Sequence, residues 1–327
     1  MGSADTSTFD GKFLVALDGG GTKTEICVYD MQKERSLSSV FGSSNYKALG
    51  LPTVRKNLLD GLNEACEKSA AKPEDIALCL MGISGCDTDE DCKVYERIML
   101  GSGIPVSRVL ILNDSEMIFR SLASEPGLCI VAGTGSIVFG FPANHEKVRA
   151  GGWGAPLSDQ GSGYWIGAEL IRRYLDWLDG VGEWNSFFQV IEARWKTQDA
   201  LHTAANLACL DTNQAASLAK DVMDAASNGN TLCLKVVDKA AEIVSKLAAA
   251  VYQKLGIVEG RAISVVEVGS LFRDSYFEKK IQKNIRKLTA AANLRFLNAV
   301  GAPAESGILY AKKLEVEIGR ASCRERV

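Results

Sequence analysis

Two histidines, His145 and His202, are all that 327 residues contain. Histidine-centred catalysis or an imidazole-held metal therefore has little to work with. Any metal is expected to be a hard cation on oxygen ligands. Cysteine is present, but its useful spacings are absent. The nine cysteines (Cys27, Cys66, Cys79, Cys86, Cys92, Cys129, Cys209, Cys233 and Cys323) are odd in number and include no C-x-x-C pair. That argues against a zinc site, a redox pair and a disulfide framework. Most lie in apolar surroundings and read as small core residues. Long apolar runs are missing too. "IALCLMGI" (Ile76–Ile83) is far shorter than the roughly twenty residues a membrane span needs. The opening "MGSADTSTFDGK" has no apolar stretch of the signal-peptide kind, so a cytoplasmic protein with no membrane partner is expected. A net charge of −3 with no Lys/Arg cluster gives no footprint for nucleic acid.

What remains is an ordinary globular composition, 46% hydrophobic and 24% charged, in a chain long enough to predict two domains. "FLVALD" (Phe13–Asp18) and the alternating "TEICVYD" (Thr24–Asp30) read as strands joined by a glycine turn, hence a hairpin. "SLSSVFG" (Ser36–Gly42) reads as a third strand. Leu51, Val54, Leu58, Leu62, Ala65 and Cys66 fall at helical spacing over Leu51–Lys72. Buried strands are expected at Ile76–Ser84 and Arg108–Asp114. The second half repeats this plan. "LCIVAG" (Leu128–Gly133) and "SIVFGF" (Ser136–Phe141) form another glycine-turn hairpin. A long helix over Thr231–Leu255 follows, with Gly256 at its C-cap, then a buried strand over Ala262–Ser270. The fold class is α/β, in two copies of one mixed plan. "GRASCRERV" (Gly319–Val327) loses the apolar stripe and is expected to be a disordered tail or cloning remnant.

The first glycine turn, Gly19-Gly20-Gly21 between Asp18 and Thr22-Lys23, is not a Walker A loop, because Thr22 and not a glycine directly precedes Lys23 and a strand follows. It is not a Rossmann fingerprint either, since no helix starts there. A plain hairpin turn would use glycines for positive φ. The additional glycine and the flanking Asp and Thr point further, to bare backbone N–H groups that cradle phosphate, with Asp18 near a hydrated Mg²⁺. "AGTGS" (Ala132–Ser136) is a second such turn in the matching place, and the pair is expected to grip a triphosphate across a cleft.

"LDGGGTKTE", "LNDSE", "IVAGTGS", "VEVGSLF" and "AVGAPAESGILYAKK" follow the order phosphate 1, connect 1, phosphate 2, adenosine and connect 2 of the actin-like ATPase superfamily, which the chain resembles from about Phe13 to Lys313. Within it, "GGWGAPLSDQGSGYWIG" (Gly151–Gly167) and "SSNYKALG" (Ser43–Gly50) are similar to the N-acetylglucosamine kinase branch of the BadF/BadG/BcrA/BcrD-type ATPases. The resemblance implies two actin-like ATPase (ribonuclease H-like) domains with an interdomain cleft. Their expected extents are 12–115 plus 303–316 and 116–302, with 317–327 as the tail. It implies ATP and Mg²⁺ as cofactors, a small amino sugar as substrate and a homodimer. Asp114 is then the base that takes the proton from the sugar 6-hydroxyl, against the plainer reading of a helix N-cap. Nucleotide contacts are expected at Asp18, Gly19, Gly20, Gly21, Thr22, Lys23, Gly133, Thr134, Gly135, Ser136, Gly269 and Ser270, with Asp18 on the metal. Sugar contacts are expected at Asn45, Asp114, Gly152, Trp153 and Asp159, with Tyr46 and Ala155–Leu157 on the acyl side. For Asn45 the plain alternative is a turn residue; for Trp153, a core aromatic; for Asp159, the N-cap of a helix beginning near Gly161.

The adenosine motif departs from the family, which usually has a glycine where Glu267 or Val268 stands. The connect helices usually cross at small residues. Gly301, Ala302, Gly307 and Ala311 fit that habit, whereas Glu116, Met117 and Ile118 are bulky. The expected reaction is transfer of the ATP γ-phosphoryl group to the 6-hydroxyl of N-acetylglucosamine, with closure of the cleft on sugar binding. Alternatives are a glucosamine or N-acetylmuramic acid kinase, and an ATPase that activates a partner enzyme. The activators carry paired cysteines around an iron–sulfur cluster, and that arrangement is absent here. A sugar-responsive regulator would need a DNA-binding module, for which the residues before the first strand are too few.

Overall fold

The computed structural model describes residues 11–123, 126–143, 147–195, 206–207, 209–257, 260–290, 293–299 and 302–324. The chain divides into two compact units, one of 1–123 with 299–327 and one of 124–298. Helix α4 (Asp114–Leu122) therefore stays with the first unit, where the sequence reading began the second at 116.

The first unit is built on β1 (Phe13–Gly19), β2 (Lys23–Asp30), β3 (Arg35–Gly42), β4 (Ile76–Ile83) and β5 (Val109–Asn113), in the order β3-β2-β1-β4-β5. β1 to β3 form an antiparallel meander, and β1, β4 and β5 run parallel. Every residue of β4 is buried, as a parallel strand covered on both faces requires. The faces of β1 alternate with the pleat. Val15 and Leu17 join Val54, Leu58 and Leu62 of α2 (Leu51–Ser69) and Tyr95 and Ile98 of α3 (Asp89–Met99). Leu14 and Ala16 join Ala304, Ile308 and Ala311 of a helix over Pro303–Arg324. Burying each large aliphatic side chain contributes roughly 1.5–3 kcal/mol.

Helix α2 ends at Ser69, three residues before the predicted stop. Ala70 turns left-handed at φ 55° and its N–H bonds back to Cys66 and Glu67. The larger correction is at the C-terminus. The helix over Pro303–Arg324 runs through most of the segment read as a tail from 317. The loss of an apolar stripe removes packing but not the backbone ladder, and no proline interrupts it.

The bulk of α4 has a matching space. A Cβ on Gly82 would lie 2.5 Å from Met117 Cε, and one on Gly307 2.9 Å from Met117 Sδ and 2.7 Å from Ala16 Cβ. Glycines on β4 and on the 303–324 helix thus receive the methionine, while Glu116 pairs with Arg120 at 2.9 Å. Gly301 lies outside the described residues.

The second unit repeats the topology with β6 (Gly127–Ala132), β7 (Ser136–Phe141), β8 (Val148–Gly151), β9 (Ala262–Val268) and β10 (Asn293–Asn298), in the order β10-β9-β6-β7-β8. β6 to β8 are antiparallel, and β6, β9 and β10 parallel. The crossover from β8 to β9 carries α5 (Gly163–Leu178), α6 (Phe188–Trp195), α7 (Thr212–Ser227) and α8 (Thr231–Lys254). A Cβ on Gly167 would meet Ala215 O at 2.0 Å, so α5 and α7 pack backbone to backbone. Helix α9 (Ser275–Leu288) buries Phe277, Ile281 and Ile285 in one core with Ile263 and Val265 of β9, and the 303–324 helix is α10. Gly256 takes φ 58° just past α8, the predicted cap position.

Candidate active site

The carboxyl ends of β1, β4 and β5 come level in the ladder, where Asp18 pairs with Gly82 and Ile83 with Asn113. Ligands bind at such ends in open α/β sheets. The β1–β2 turn lies there, closed by Gly20 N–H to Lys23 O at 2.9 Å. None of Gly19, Gly20 and Gly21 has a left-handed φ, so the hairpin does not need them for its turn. Gly19 is needed for packing, because a Cβ would sit 2.4 Å from Ser44 Oγ and 2.5 Å from Ile83 Cδ1. Gly21 is needed for neither, since a Cβ there would meet nothing within 4 Å. Its missing side chain leaves bare backbone facing open space, the property a phosphate cradle uses. Thr22 and Lys23 are exposed beside it.

The loop that carries Asn45 is bonded to this turn. Ser43 Oγ donates to Gly20 O at 3.1 Å and Ser44 N–H donates to the same oxygen at 3.3 Å. Asn45 caps the short helix α1 (Tyr46–Leu49) through Oδ1, which accepts from Ala48 N–H at 3.2 Å. The turn role therefore holds for its side-chain oxygen, while its Nδ2 donates to none of the described residues. Tyr46 differs from the acyl-side expectation in one respect. Its hydroxyl is committed to Asp91 Oδ1 at 2.6 Å and its ring packs edge-on to Tyr95 at 5.7 Å.

Asp114 is the first residue of α4, not its cap. The cap is Asn113, whose side chain accepts from Ser115 N–H at 3.0 Å. Asp114 Oδ1 accepts from the same N–H at 2.8 Å, and Oδ2 accepts nothing from the described residues. Burial pushes the Asp114 carboxyl up, Ser115 opposes it, and the negative charge of Asp87 adds to the rise. Asp18 is pushed up to about 7, chiefly by burial, then by the charges of Asp114 and Glu25, against the pull of Lys23. The Asp114 charge thus adds to the cost of ionising Asp18 at the mouth of the glycine turn, and a cation would relieve it. No group of three or more His, Cys, Asp or Glu side chains assembles among the described residues. The donor set suits an ion that keeps water and phosphate oxygens, as Mg²⁺ does, and not an all-protein cage.

In the second unit, the turn at Gly133, Thr134, Gly135 and Ser136 meets the start of α5. Gly163 N–H donates to Gly133 O at 2.7 Å and Tyr164 N–H to Thr134 O at 3.1 Å. Ser136 Oγ donates to Gln160 O at 2.9 Å. Gly269, at φ 114°, lies against this turn, because a Cβ would stand 2.2 Å from Ala132 O. That places Gly269 and Ser270 beside Gly133.

The Gly151–Gly161 loop is wound through left-handed residues at Gly151, Gly152, Gly154, Asp159 and Gly161. Trp153 is not a core aromatic. It is 76% exposed, with the Arg149 guanidinium 4.2 Å over its ring. Leu157 is 91% exposed. Asp159 does not cap α5, a role taken by Ser162. Its Oδ1 accepts from Gly154 N–H at 3.3 Å, and burial raises its carboxyl despite that bond. A non-glycine residue at φ 55° costs about 1–2 kcal/mol, less for Asp, which tolerates this region. The side chain is retained at a position where glycine suits the backbone. Asp159→Gly is therefore expected to leave the melting temperature unchanged or slightly higher. The sugar contact expected of Asp159 from the sequence predicts that the same variant lowers kcat/KM by about tenfold or more, the scale of one lost charge-assisted hydrogen bond. A full-activity Asp159→Gly enzyme would remove this residue from the site.

Sequence reasoning missed several residues that the fold brings to this place. Asp87 Oδ1 accepts from Asn113 Nδ2 at 3.1 Å, Tyr95 donates to Ser44 O at 2.8 Å, and Asp91 joins Tyr46. Cys86 and Cys92 approach to 3.2 Å between sulfurs. The one available signal was the run Asp87-Thr88-Asp89-Glu90-Asp91 after a buried strand, which also reads as a capping box.

The profile of the BadF/BadG/BcrA/BcrD ATPase family matches residues 15–302. An N-acetylmuramic acid/N-acetylglucosamine kinase of Clostridium acetobutylicum is 24% identical over 279 residues, covering 83% of this chain and 90% of that protein. An N-acetyl-D-glucosamine kinase of Dictyostelium discoideum is 26% identical over 320 residues, covering 92% and 98%. A Chromobacterium violaceum structure, provisionally assigned as an N-acetylglucosamine kinase, superposes with a TM-score of 0.71 at 20% identity and covers 92% of this chain and 99% of that one. At that identity the superposition establishes the fold alone, two α/β units each built on a five-stranded mixed sheet.

Proposed function

Since the chain belongs to the BadF/BadG/BcrA/BcrD ATPase family, we propose that it is an ATP-dependent kinase that phosphorylates the 6-hydroxyl of an amino sugar, N-acetylglucosamine foremost. The observation that carries this reading lies in the first unit. A glycine turn with open backbone, the Asn45 loop bonded to that turn through Gly20 O, and the raised carboxyl of Asp114 meet at the ends of parallel strands. An ATPase that only drives a partner needs the first of these and has no use for the other two. Relatives named as N-acetylglucosamine and N-acetylmuramic acid kinases support the substrate class.

Phosphoryl transfer asks the protein mainly for positioning and charge stabilisation. In this reading Asp114 Oδ2 takes the proton of the acceptor hydroxyl. Asn45 Nδ2 and the Asp159 carboxylate orient the ring hydroxyls, and Trp153 offers an apolar face to the sugar or its acetamide. Backbone N–H groups of Gly21 and Thr22 and of Thr134–Ser136 receive phosphate oxygens, while those of Gly20 and Gly133 close their turns on Lys23 O and Gly135 O, and Gly269–Ser270 receive the nucleoside. Mg²⁺, held near Asp18 through water, supplies charge neutralisation at the phosphates. The test is ADP release over a panel of free hexosamines: N-acetylglucosamine, glucosamine and N-acetylmuramic acid. Turnover that depends on an amino sugar is expected. Equal ATP hydrolysis with and without every sugar would overturn the reading.

A further inference from the structure

The carboxylate of Asp91 is buried on α3, and the resemblance gives it no role. Its two oxygens do different work. Oδ2 faces its own helix, accepting from Thr88 N–H at 3.1 Å, Thr88 Oγ1 at 2.9 Å and Asp87 N–H at 3.2 Å. Those bonds close the capping box of α3, and Asp91 N–H completes it with Thr88 Oγ1 at 3.2 Å. A helix cap needs no more. Oδ1 faces the Asn45 loop, accepting from Tyr46 Oη at 2.6 Å and lying 2.7 Å from Lys47 Nζ. Lys47 also donates to Gly85 O at 3.1 Å. Burial alone would raise this carboxyl, but the bonds from Lys47, Tyr46, Thr88 and Asp87 hold it well below the usual carboxylate range, so it stays charged.

The two residues that Oδ1 holds follow Asn45 directly, in the helix that Asn45 caps. Asp87, held on the Oδ2 side, accepts from Asn113, the neighbour of Asp114. One carboxylate therefore ties the loop of the sugar contact to the loop that braces the base. We propose that Asp91 is a positioning residue for the acceptor sugar: through Tyr46 and Lys47 it fixes the Ser43–Lys47 loop so that Asn45 meets the sugar hydroxyls. This rests on the kinase reading above. Asp91 touches neither substrate, so its removal should weaken sugar binding and spare the nucleotide and the chemical step.

The experiment is steady-state kinetics with N-acetylglucosamine and ATP varied separately, with melting temperatures alongside. Asp91→Asn is expected to raise the sugar KM about tenfold, as loss of charge-assisted hydrogen bonds does, while the ATP KM and kcat stay within about twofold. Tyr46→Phe keeps the carboxylate and the cap and removes only one Oδ1 bond; it should raise the sugar KM about threefold by the same reasoning. Because both substitutions cut one link, Asp91→Asn combined with Tyr46→Phe should be no worse than Asp91→Asn alone. Thr88→Ala removes the cap hydroxyl on the Oδ2 side. It should lower the melting temperature and leave the sugar KM unchanged. An unchanged sugar KM in Tyr46→Phe, or a Thr88→Ala enzyme with the same KM rise as Asp91→Asn, would reduce Asp91 to a helix cap and overturn the proposal. If Asp91→Asn does not fold, Tyr46→Phe against Thr88→Ala still decides. A wild-type enzyme without sugar-dependent turnover would instead overturn the kinase reading itself, and the positioning role with it.

Discussion

Asp114→Asn should abolish transfer to the sugar, lowering kcat by about 10²–10⁴-fold, the usual contribution of a positioned general base. The substitution is close to isosteric. Asn can keep the Oδ1 acceptor for Ser115 N–H and, with Asn113 as the true cap of α4, the helix start survives. What is lost is the proton acceptor at Oδ2. Nucleotide affinity should therefore stay within about twofold, since a base that acts only in the transition state leaves ground-state binding alone. The wild type should also lose kcat on the acid side as Asp114 is protonated, from a carboxyl already raised by burial and Asp87. A nucleotide-binding titration together with the coupled assay checks both parts. An Asn variant that keeps more than about a tenth of wild-type turnover is incompatible with Asp114 as the base.

The second large effect concerns stability and comes from Glu267, one of the two residues of the adenosine-like run that stand where a glycine is usual in the family it resembles. Glu267 is 2% exposed on β9. Its Oε2 accepts from Gln282 Nε2 at 2.8 Å, and its Oε1 is buried with no partner among the described residues. Burial, then the charge of Glu278, push its carboxyl from 4.5 up to about 8, against the Gln282 bond. The folded state thus holds the proton more tightly than the unfolded chain. The associated stability is fully present below about pH 4.5 and is lost as pH rises through about 8. Within that window the loss approaches about 1.4 kcal/mol per pH unit. Glu267→Gln should remove this slope. The variant and the wild type should melt together near pH 5, and the variant should melt several degrees higher at pH 8.5, given roughly 2–4 °C per kcal/mol for a unit of this size. The comparison isolates Glu267, because Asp18 and Asp114 titrate in both proteins. Parallel melting curves across that range would show that Glu267 stays charged in the fold.

The alternating residues of β1, the helical stripe of α2 and the two glycine turns were all legible in the sequence, because each is set by local pattern. Period two, period 3.6 and a glycine between apolar runs need no knowledge of distant contacts. The duplicated plan was legible for the same reason. The family was legible where several motifs fell in one order, from the glycine turn after Asp18 to the run that ends on Gly269.

Other properties depended on which residues meet. Packing, and not φ, explains Gly19, and no internal contact explains Gly21; only the neighbours Ser44 and Ile83 could show the difference. The bulk of Met117 looked unsuited to a helix crossing until Gly82 and Gly307 proved to hold the space for it. Trp153 lies outside and not in the core, because the left-handed residues around it turn the loop outward. Asp91 had the look of a capping residue in an acidic run, and its second oxygen became informative only once β4 and α3 brought it to Tyr46 and Lys47. Sequence by itself determined the elements and the chemistry on offer. Tertiary structure decided which oxygen each donor reaches, because hydrogen bonds and close packing act over a few ångströms between residues far apart in the chain.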